Sequence, residues 1–459
     1  MVAWTESLFW LSCTPEQVTN LMVGLPETPA PNCDFYLCLK EIDYDTMSMT
    51  TSVRVRALEP PYIKQLAPIP EERVKKKYFE LEDIGDLSRW VGFFLKLRRS
   101  GGEHDVQPDA MRELAVKVFA RDAGWYRTQL EGVIQSLGQE DRITVSGLSQ
   151  VLFQRAIEQG DIVAAALITC RHHRLASARK WYATYSIEHL RRIHSVAGQC
   201  IRAEIQSFGW PTPDETGKLP EDSEAVGSRR CVKDNEMQKF TGVLKEIVRR
   251  NLSLRNPHKK LEEFRKKHNA LTMLAIWTVE ICVGMRGIKH PYFHASEYDQ
   301  DTGHGTFTDK DPGEGIKSRP FRLPELAKSI MKAYDAYLAK LPKLGLPAQS
   351  RSLPCYFIRL TTGKLETIPV SPSTISEVMG DCFKFAPNWG RRLIKTTATE
   401  TGIPPAFIDL YCGHFQRGEE SFNPYASIDP LEYFESMDRF LTERLVDLGL
   451  EPIELEPCL

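Results

Sequence analysis

Residues 208 to 230, FGWPTPDETGKLPEDSEAVGSRR, interrupt a chain that otherwise carries long runs of helical periodicity. Prolines, glycines and alternating charges fill the stretch, and its apolar residues follow no regular period. It cannot bury a face and reads as a linker. A break of this kind divides a chain of 459 residues into two cores. The expected organisation is a first domain over 1–207, a linker over 208–235 and a second domain over 236–459. At 42% apolar and 26% charged residues, the chain has enough apolar material for both cores.

On either side of the break, apolar residues recur at spacings of three and four. LSRWVGFFLKLRR, MRELAVKVFARDAGWYRTQLEGVIQSL and VSGLSQVLFQRAIEQ predict helices in the first half. MQKFTGVLKEIVRRNL, LEEFRKKHNALTMLAIWTVEICVGM, PELAKSIMKAYDAYLAKL, TISEVMGDCFKFA, NWGRRLIKTTATETG and DPLEYFESMDRFLTERLVDLG predict them in the second. Strand-like alternation is confined to 34–58, which reads as a hairpin, and to about 292–323. The expected fold class is mainly α with a small antiparallel β-sheet, an α+β chain whose second half has one small sheet inserted among helices.

The eleven cysteines are scattered without a CxxC pair, which points to reduced, buried thiols rather than a disulfide framework or a zinc site. No run of about 18 apolar residues predicts a membrane span, and the opening MVAWTESLFWLSCTPEQ lacks the basic and apolar regions of a signal peptide. A cytoplasmic protein is expected. With a formal net charge of −2, any nucleic-acid site has to be a local patch. One stretch qualifies: residues 229–267 hold thirteen Lys or Arg against five Asp or Glu, Arg249, Arg250, Lys259 and Lys260 among them. It is either a solvated helix face or a stripe that tracks phosphates.

Several polar residues of the second half stand out by position. Arg286 directly follows a very apolar helix in VEICVGMRGIKHP, where an arginine must pair with an acid or face a ligand. The segment GTFTDKDPGEGIKSR carries Lys310 at a strand end before a glycine-rich turn, with Lys317 and Arg319 beyond it. NWGRR holds Asn388 and Arg391, YCGH holds His414, and NPYAS holds Tyr425. Taken singly, each suits an ordinary structural role. Taken in order, with 23 residues from Arg391 to His414, the set from GMRGIKH to NPYAS resembles the tyrosine recombinase (phage-integrase) family over about residues 236–445.

That resemblance implies a catalytic domain in which Tyr425 attacks a DNA phosphorus, Arg286 and Arg391 clamp the phosphate, Lys310 protonates the leaving oxygen and His414 assists. Lys317, Arg319, Arg249, Arg250, Lys259 and Lys260 would contact DNA. The residue types suit the chemistry. A phenol can attack and later leave, storing the bond energy for religation. Permanently charged, fork-shaped guanidiniums match the non-bridging oxygens, and lysine and histidine can move protons. No metal or nucleotide cofactor is implied. The implied partners are double-stranded DNA and further copies of the chain, as a tetramer on DNA or with a partner recombinase, in a bacterial cytoplasm and on the nucleoid when bound.

Two departures weaken the match. Asn388 stands where the family usually has histidine; as a member of the catalytic set it can hydrogen-bond the phosphate but cannot carry a proton near neutral pH. The eleven residues from His414 to Tyr425 exceed the commoner spacing, although QRGEESFNP is a polar loop able to absorb the excess. Tyr433 is the alternative nucleophile, placed inside the last predicted helix. The first half carries an echo: over 144–190 a helix, an apolar run, His173 and Tyr182 follow one another, nine residues separating the last two, with Ser146 and Ser149 where phosphate-binding groups are expected. It is either a decayed copy of the catalytic fold or an unrelated helical domain that grips DNA. Three functions stay open: a site-specific recombinase or integrase, a recombinase-like DNA-binding accessory protein of a mobile element without turnover, and a topoisomerase-like relaxing enzyme.

Overall fold

A computed structural model describes residues 2–24, 34–43, 48–56, 78–82, 116–119, 121–139, 142–160, 162–171, 183–209, 224–228, 231–249, 261–285, 298–307, 319–342, 355–380, 385, 388–414 and 428–453. The chain is mainly helical with small sheets, an α+β protein. The described residues up to 228 form one compact unit and those from 231 form another.

The first unit starts with helices α1 (Val2–Trp10) and α2 (Pro15–Thr19) and strands β1 (Met22–Gly24), β2 (Phe35–Asp43), β3 (Ser48–Arg56), β4 (Tyr78–Glu82) and β5 (Val116–Lys117). Helices α3 (Ala123–Ser136), α4 (Val145–Leu148), α5 (Val151–Gln159) and α6 (Ile162–Ile168), strand β6 (Thr184–Ser186), helix α7 (Ile187–Ser207) and strand β7 (Ala225–Gly227) complete it. The strands pair in the order β4-β3-β2-β1-β5. The hairpin expected over 34–58 is β2–β3, antiparallel from Phe35↔Val55 to Asp43↔Ser48. Alternation decides its inner face, since Val53 and Val55 are buried while Arg54 and Arg56 stand half out. The periodicity of 111–137 predicts one helix, but Val116–Lys117 pairs with β1, and α3 begins only at Ala123, where the side chain of Asp122 caps the Trp125 N–H. LSRWVGFFLKLRR lies outside the described residues.

The second unit is built around one buried helix. Helices α8 (Asp234–Arg249) and α9 (Leu261–Val283) are followed by strands β8 (His304–Phe307) and β9 (Arg319–Arg322), helix α10 (Glu325–Leu338), strands β10 (Tyr356–Thr361) and β11 (Lys364–Pro369), and helices α11 (Pro372–Met379), α12 (Trp389–Glu400), α13 (Pro405–Cys412) and α14 (Pro430–Asp447). Every residue of α9 from His268 to Val283 is buried, as befits a helix that is apolar on most of its circumference. Its few polar groups are spent on neighbours. Asn269 donates to the Ile358 carbonyl at 2.9 Å and accepts from its N–H at 2.8 Å, so a side chain completes the edge of β10. His268 Nε2 donates to the Tyr356 carbonyl at 3.0 Å and Nδ1 lies 3.0 Å from the Tyr337 hydroxyl. Trp277 stacks on Trp389 of α12 with centroids 3.9 Å apart and donates to Thr241 of α8 at 3.1 Å.

The sequence predicts one small sheet in this half, whereas two antiparallel hairpins occur, β8–β9 and β10–β11. The second turns at Thr362–Gly363, both with positive φ, and most of its residues beyond Ile358 are exposed or half-buried, so it leaves little apolar alternation to read. The helix expected over 374–386 ends at Met379. Among the described residues, no helix is long and apolar enough to cross a membrane.

Candidate active site at the end of the central helix

Helix α9 stops at Gly284, which takes a left-handed conformation at φ 58°. A Cβ on this residue would lie 2.6 Å from a ring carbon of Tyr411. Tyr411, buried on α13, also donates its hydroxyl to the Ile281 carbonyl. Only glycine meets both demands, and the chain leaves α9 two residues before Arg286.

Helix α13 ends in the same way. The Gly413 N–H donates to Leu410 O at 3.0 Å and the His414 N–H to Asp409 O at 2.9 Å, with Gly413 at φ 60°. This is a Schellman cap, and it accounts for the Gly-His pair: glycine supplies the left-handed turn and histidine is the first residue beyond it. The close packing of Arg319 adds to the requirement, since its Cδ lies 3.2 Å from where a Cβ on Gly413 would sit.

Two arginines join these helix ends. Arg391, in the first turn of α12, is fully buried and donates from Nε to the Gly284 carbonyl at 2.9 Å. Arg319, at the start of β9, donates from Nη1 to Val283 O at 2.7 Å and to Tyr411 O, and from Nη2 to Gly284 O at 3.1 Å. A third cation, Lys395 of α12, is buried 3.5 Å from Asp409 of α13. The positive charge is felt by its neighbours. Burial raises the Cys412 thiol above its ordinary pKa, and Lys395, Arg391 and Arg319 oppose that rise.

The structure thus brings together Arg391, Arg319 and the Gly413–His414 turn at the point where α9 delivers the chain toward Arg286. Arg319, expected at a DNA-facing surface, is only 2% exposed and its guanidinium serves backbone carbonyls of the chain itself. Asn388 is the N-cap residue of α12 in a left-handed conformation, φ 64°, which asparagine tolerates better than most residues. Its Oδ1 is buried and finds no hydrogen-bond partner among the described residues. Arg249 is exposed at the end of α8 and pairs with Glu451. Tyr433, the alternative nucleophile, is buried in α14 beside Phe407 and Phe434, and burial drives its phenol far above the ordinary range despite Arg319 nearby. Of the first-half echo, Ser146 and Ser149 lie at α4, where Ser149 accepts from Arg171.

Arg286, Lys310, Lys317, Tyr425, Arg250, Lys259, Lys260, His173 and Tyr182 lie outside the described residues. No group of three or more His, Cys, Asp or Glu side chains placed to hold a metal ion occurs among the described residues. Sequence reasoning missed Tyr411, Lys395 and the role of Arg319. The one available signal was the glycine placed before each of Arg286 and His414, which marks helix ends designed to turn sharply. No family model, no curated protein and no solved structure matches the chain.

Proposed function

We propose that the second unit is a tyrosine-type DNA strand breaking and rejoining domain, a site-specific recombinase or integrase. The observation that carries the reading is the shared Gly284 carbonyl. It joins the stem that leads to Arg286, the helix that bears Arg391 and, through Arg319, the turn that ends in His414. These three stems lie far apart in sequence, and their meeting is what a phosphate clamp requires. In the proposed reaction the Tyr425 phenolate attacks the phosphorus, the bond to the 5′-oxygen breaks, and Lys310 protonates that oxygen. The product is a 3′-phosphotyrosine and a 5′-hydroxyl, and attack by a 5′-hydroxyl on the phosphotyrosine restores the DNA and the phenol. The protein's part is charge stabilisation by Arg286 and Arg391, for which loss of one donor typically costs about 10²- to 10³-fold in rate.

A second reading, a DNA-binding accessory protein without turnover, is favoured by the full burial of Arg391 and by the presence of Asn388 where a proton carrier would serve. One experiment separates the two. The protein is incubated with end-labelled duplexes of randomised sequence that carry a nick, and covalent adducts are resolved on a denaturing gel. The enzyme reading expects an adduct that disappears in Tyr425→Phe and in Arg391→Ala while DNA binding falls only modestly. Binding without an adduct selects the accessory reading, and failure to bind DNA at all removes both.

A further inference from the structure

We infer that Arg319 is a positioning residue that sets the stems of three expected catalytic groups at once; the inference rests on the function proposed above. Its guanidinium donates to Val283 and Gly284, three and two residues before Arg286, and to Tyr411, three residues before His414. The same guanidinium lies over the ring of Phe307 at 5.4 Å. Phe307 is also the cross-strand partner of Arg319, and this last pair of the ladder lies three residues before Lys310. One side chain therefore touches the last described turn of each stem. A guanidinium is the group able to do this, because its planar fork sends several N–H donors in fixed directions and cannot be deprotonated. A lysine in its place would offer a single point of charge.

The buried setting makes these bonds consequential. Arg319 is 2% exposed, and the carbonyls it satisfies belong to helix ends whose last acceptors have no intrahelical partner. Without it, Val283 and Tyr411 would each seek another donor while Gly284 kept only Arg391, and the helix ends would shift by fractions of an ångström. A displacement of about 1 Å at reacting groups costs about 10²-fold in rate, so a substitution that spares the fold still reaches the chemistry.

The test uses the full chain with Arg319→Lys, and Arg319→Met as a harsher second variant. Three properties are measured: the rate of adduct formation on nicked duplex at saturating DNA, the affinity for DNA with its salt dependence, and hydrogen exchange of the peptides that span 281–285 and 411–414. For Arg319→Lys the expected result is a rate about 10- to 100-fold lower at saturation, an unchanged DNA affinity and salt slope, and faster exchange confined to the two helix ends. A weakened affinity with a shallower salt slope would make Arg319 a DNA contact and overturn the inference. A wild-type rate in a folded Arg319→Lys protein overturns it as well. If the unaltered protein forms no adduct, the proposed function fails. The anchoring role is then judged by exchange: loss of protection at both helix ends sustains it and unchanged protection removes it. If Arg319→Met unfolds the chain, the Lys variant alone decides.

Discussion

Each unit contains a crook in which two helices end on left-handed residues and an arginine clasps the carbonyl between them, but the two crooks spend their charge differently. In the first unit α1 is followed by Ser12 at φ 47° and α6 by Cys170 at φ 48°. Arg171, the next residue, donates to the Ser12 carbonyl at 2.6 Å and to the Ser149 hydroxyl at 3.0 Å, with its guanidinium over the Phe153 ring at 5.7 Å. In the second unit Gly284 and Gly413 take the left-handed positions, Arg319 and Arg391 clasp the Gly284 carbonyl, and Arg319 lies over Phe307. The position directly after the second break holds Arg171 in one case and His414 in the other. The first crook closes on itself, because the residue that leaves the helix is also the clasp. In the second the clasp comes from a strand and another helix, so the residue that leaves α13 is His414, a group able to move protons. The lesson is that the clasped crook is a backbone solution, and that what the chain hangs on it separates a structural joint from a candidate site.

The largest effect expected from this comparison is at Gly284. Replacement by alanine adds a left-handed backbone cost of about 1–2 kcal/mol to an overpacking cost of about 1–3 kcal/mol against the Tyr411 ring. Gly284→Ala should therefore destabilise the second unit by several kcal/mol, read as faster hydrogen exchange throughout α9 and α13 at a denaturant concentration where the first unit is unaffected. A cost as small as that of an exposed turn glycine would mean that the ring does not dictate the residue, and the contrast with Ser12 would lose its basis.

A smaller and shared effect concerns acid. His268 in the second unit is buried and held neutral, its pKa lowered to about 4 by burial, and His194 in the first is lowered to about 3 by burial and then by Arg202. An unfolded chain protonates histidine near pH 6.5, so below that pH the unfolded state binds more protons and both units lose stability as pH falls. The contribution is complete above about 6.5. It disappears progressively down to about 4 for His268, an acid penalty of roughly 3 kcal/mol. Urea midpoints measured from pH 7 to 4 should fall less steeply in His268→Gln than in the unaltered chain, and an identical slope would remove the histidine from the account. Burial sets the sign, and the bond from Nε2 to the Tyr356 carbonyl, which favours the charged ring, offsets it only in part.

Such details mark what the sequence made legible and what it hid. The helices were readable because their apolar faces repeat, and the β2–β3 hairpin because Val53 and Val55 alternate with arginines. Arg391 and the Gly413–His414 turn stood out in the sequence by residue type and order, and what they share in the structure is the Gly284 carbonyl, reached by Arg391 directly and by the turn through Arg319. Hairpin β10–β11 was hidden because its buried residues, Tyr356, Phe357 and Ile358, form a continuous run without alternation, and the rest of it is exposed or half-buried and tied in by Asn269. Arg319 was misread for the opposite reason. In a turn rich in charge an arginine suggests a surface, and nothing local discloses three carbonyls waiting on helices 35 to 92 residues away. Tertiary partners of this kind have no periodicity, so a sequence offers no pattern by which to find them.

The smallest effect completes the comparison between the two breaks. At Ser12 the left-handed position accommodates a side chain, which is buried. Its hydroxyl oxygen accepts from the Phe153 N–H at 3.0 Å. That N–H belongs to the first turn of α5, whose N-cap residue Gln150 makes no side-chain cap bond, so Ser12 supplies from 141 residues away what a local cap would supply. Ser12→Ala keeps the backbone class and removes only this bond, and the expected loss is about 1 kcal/mol, the ordinary worth of a capping hydroxyl. Ser12→Gly removes the same bond and also relieves the left-handed strain of about 1–2 kcal/mol. It should therefore be at least as stable as the alanine variant when both are compared by exchange of the α5 amides. If Ser12→Gly were the less stable of the two, the left-handed geometry at residue 12 would not be the strained feature that the comparison with Gly284 takes it to be.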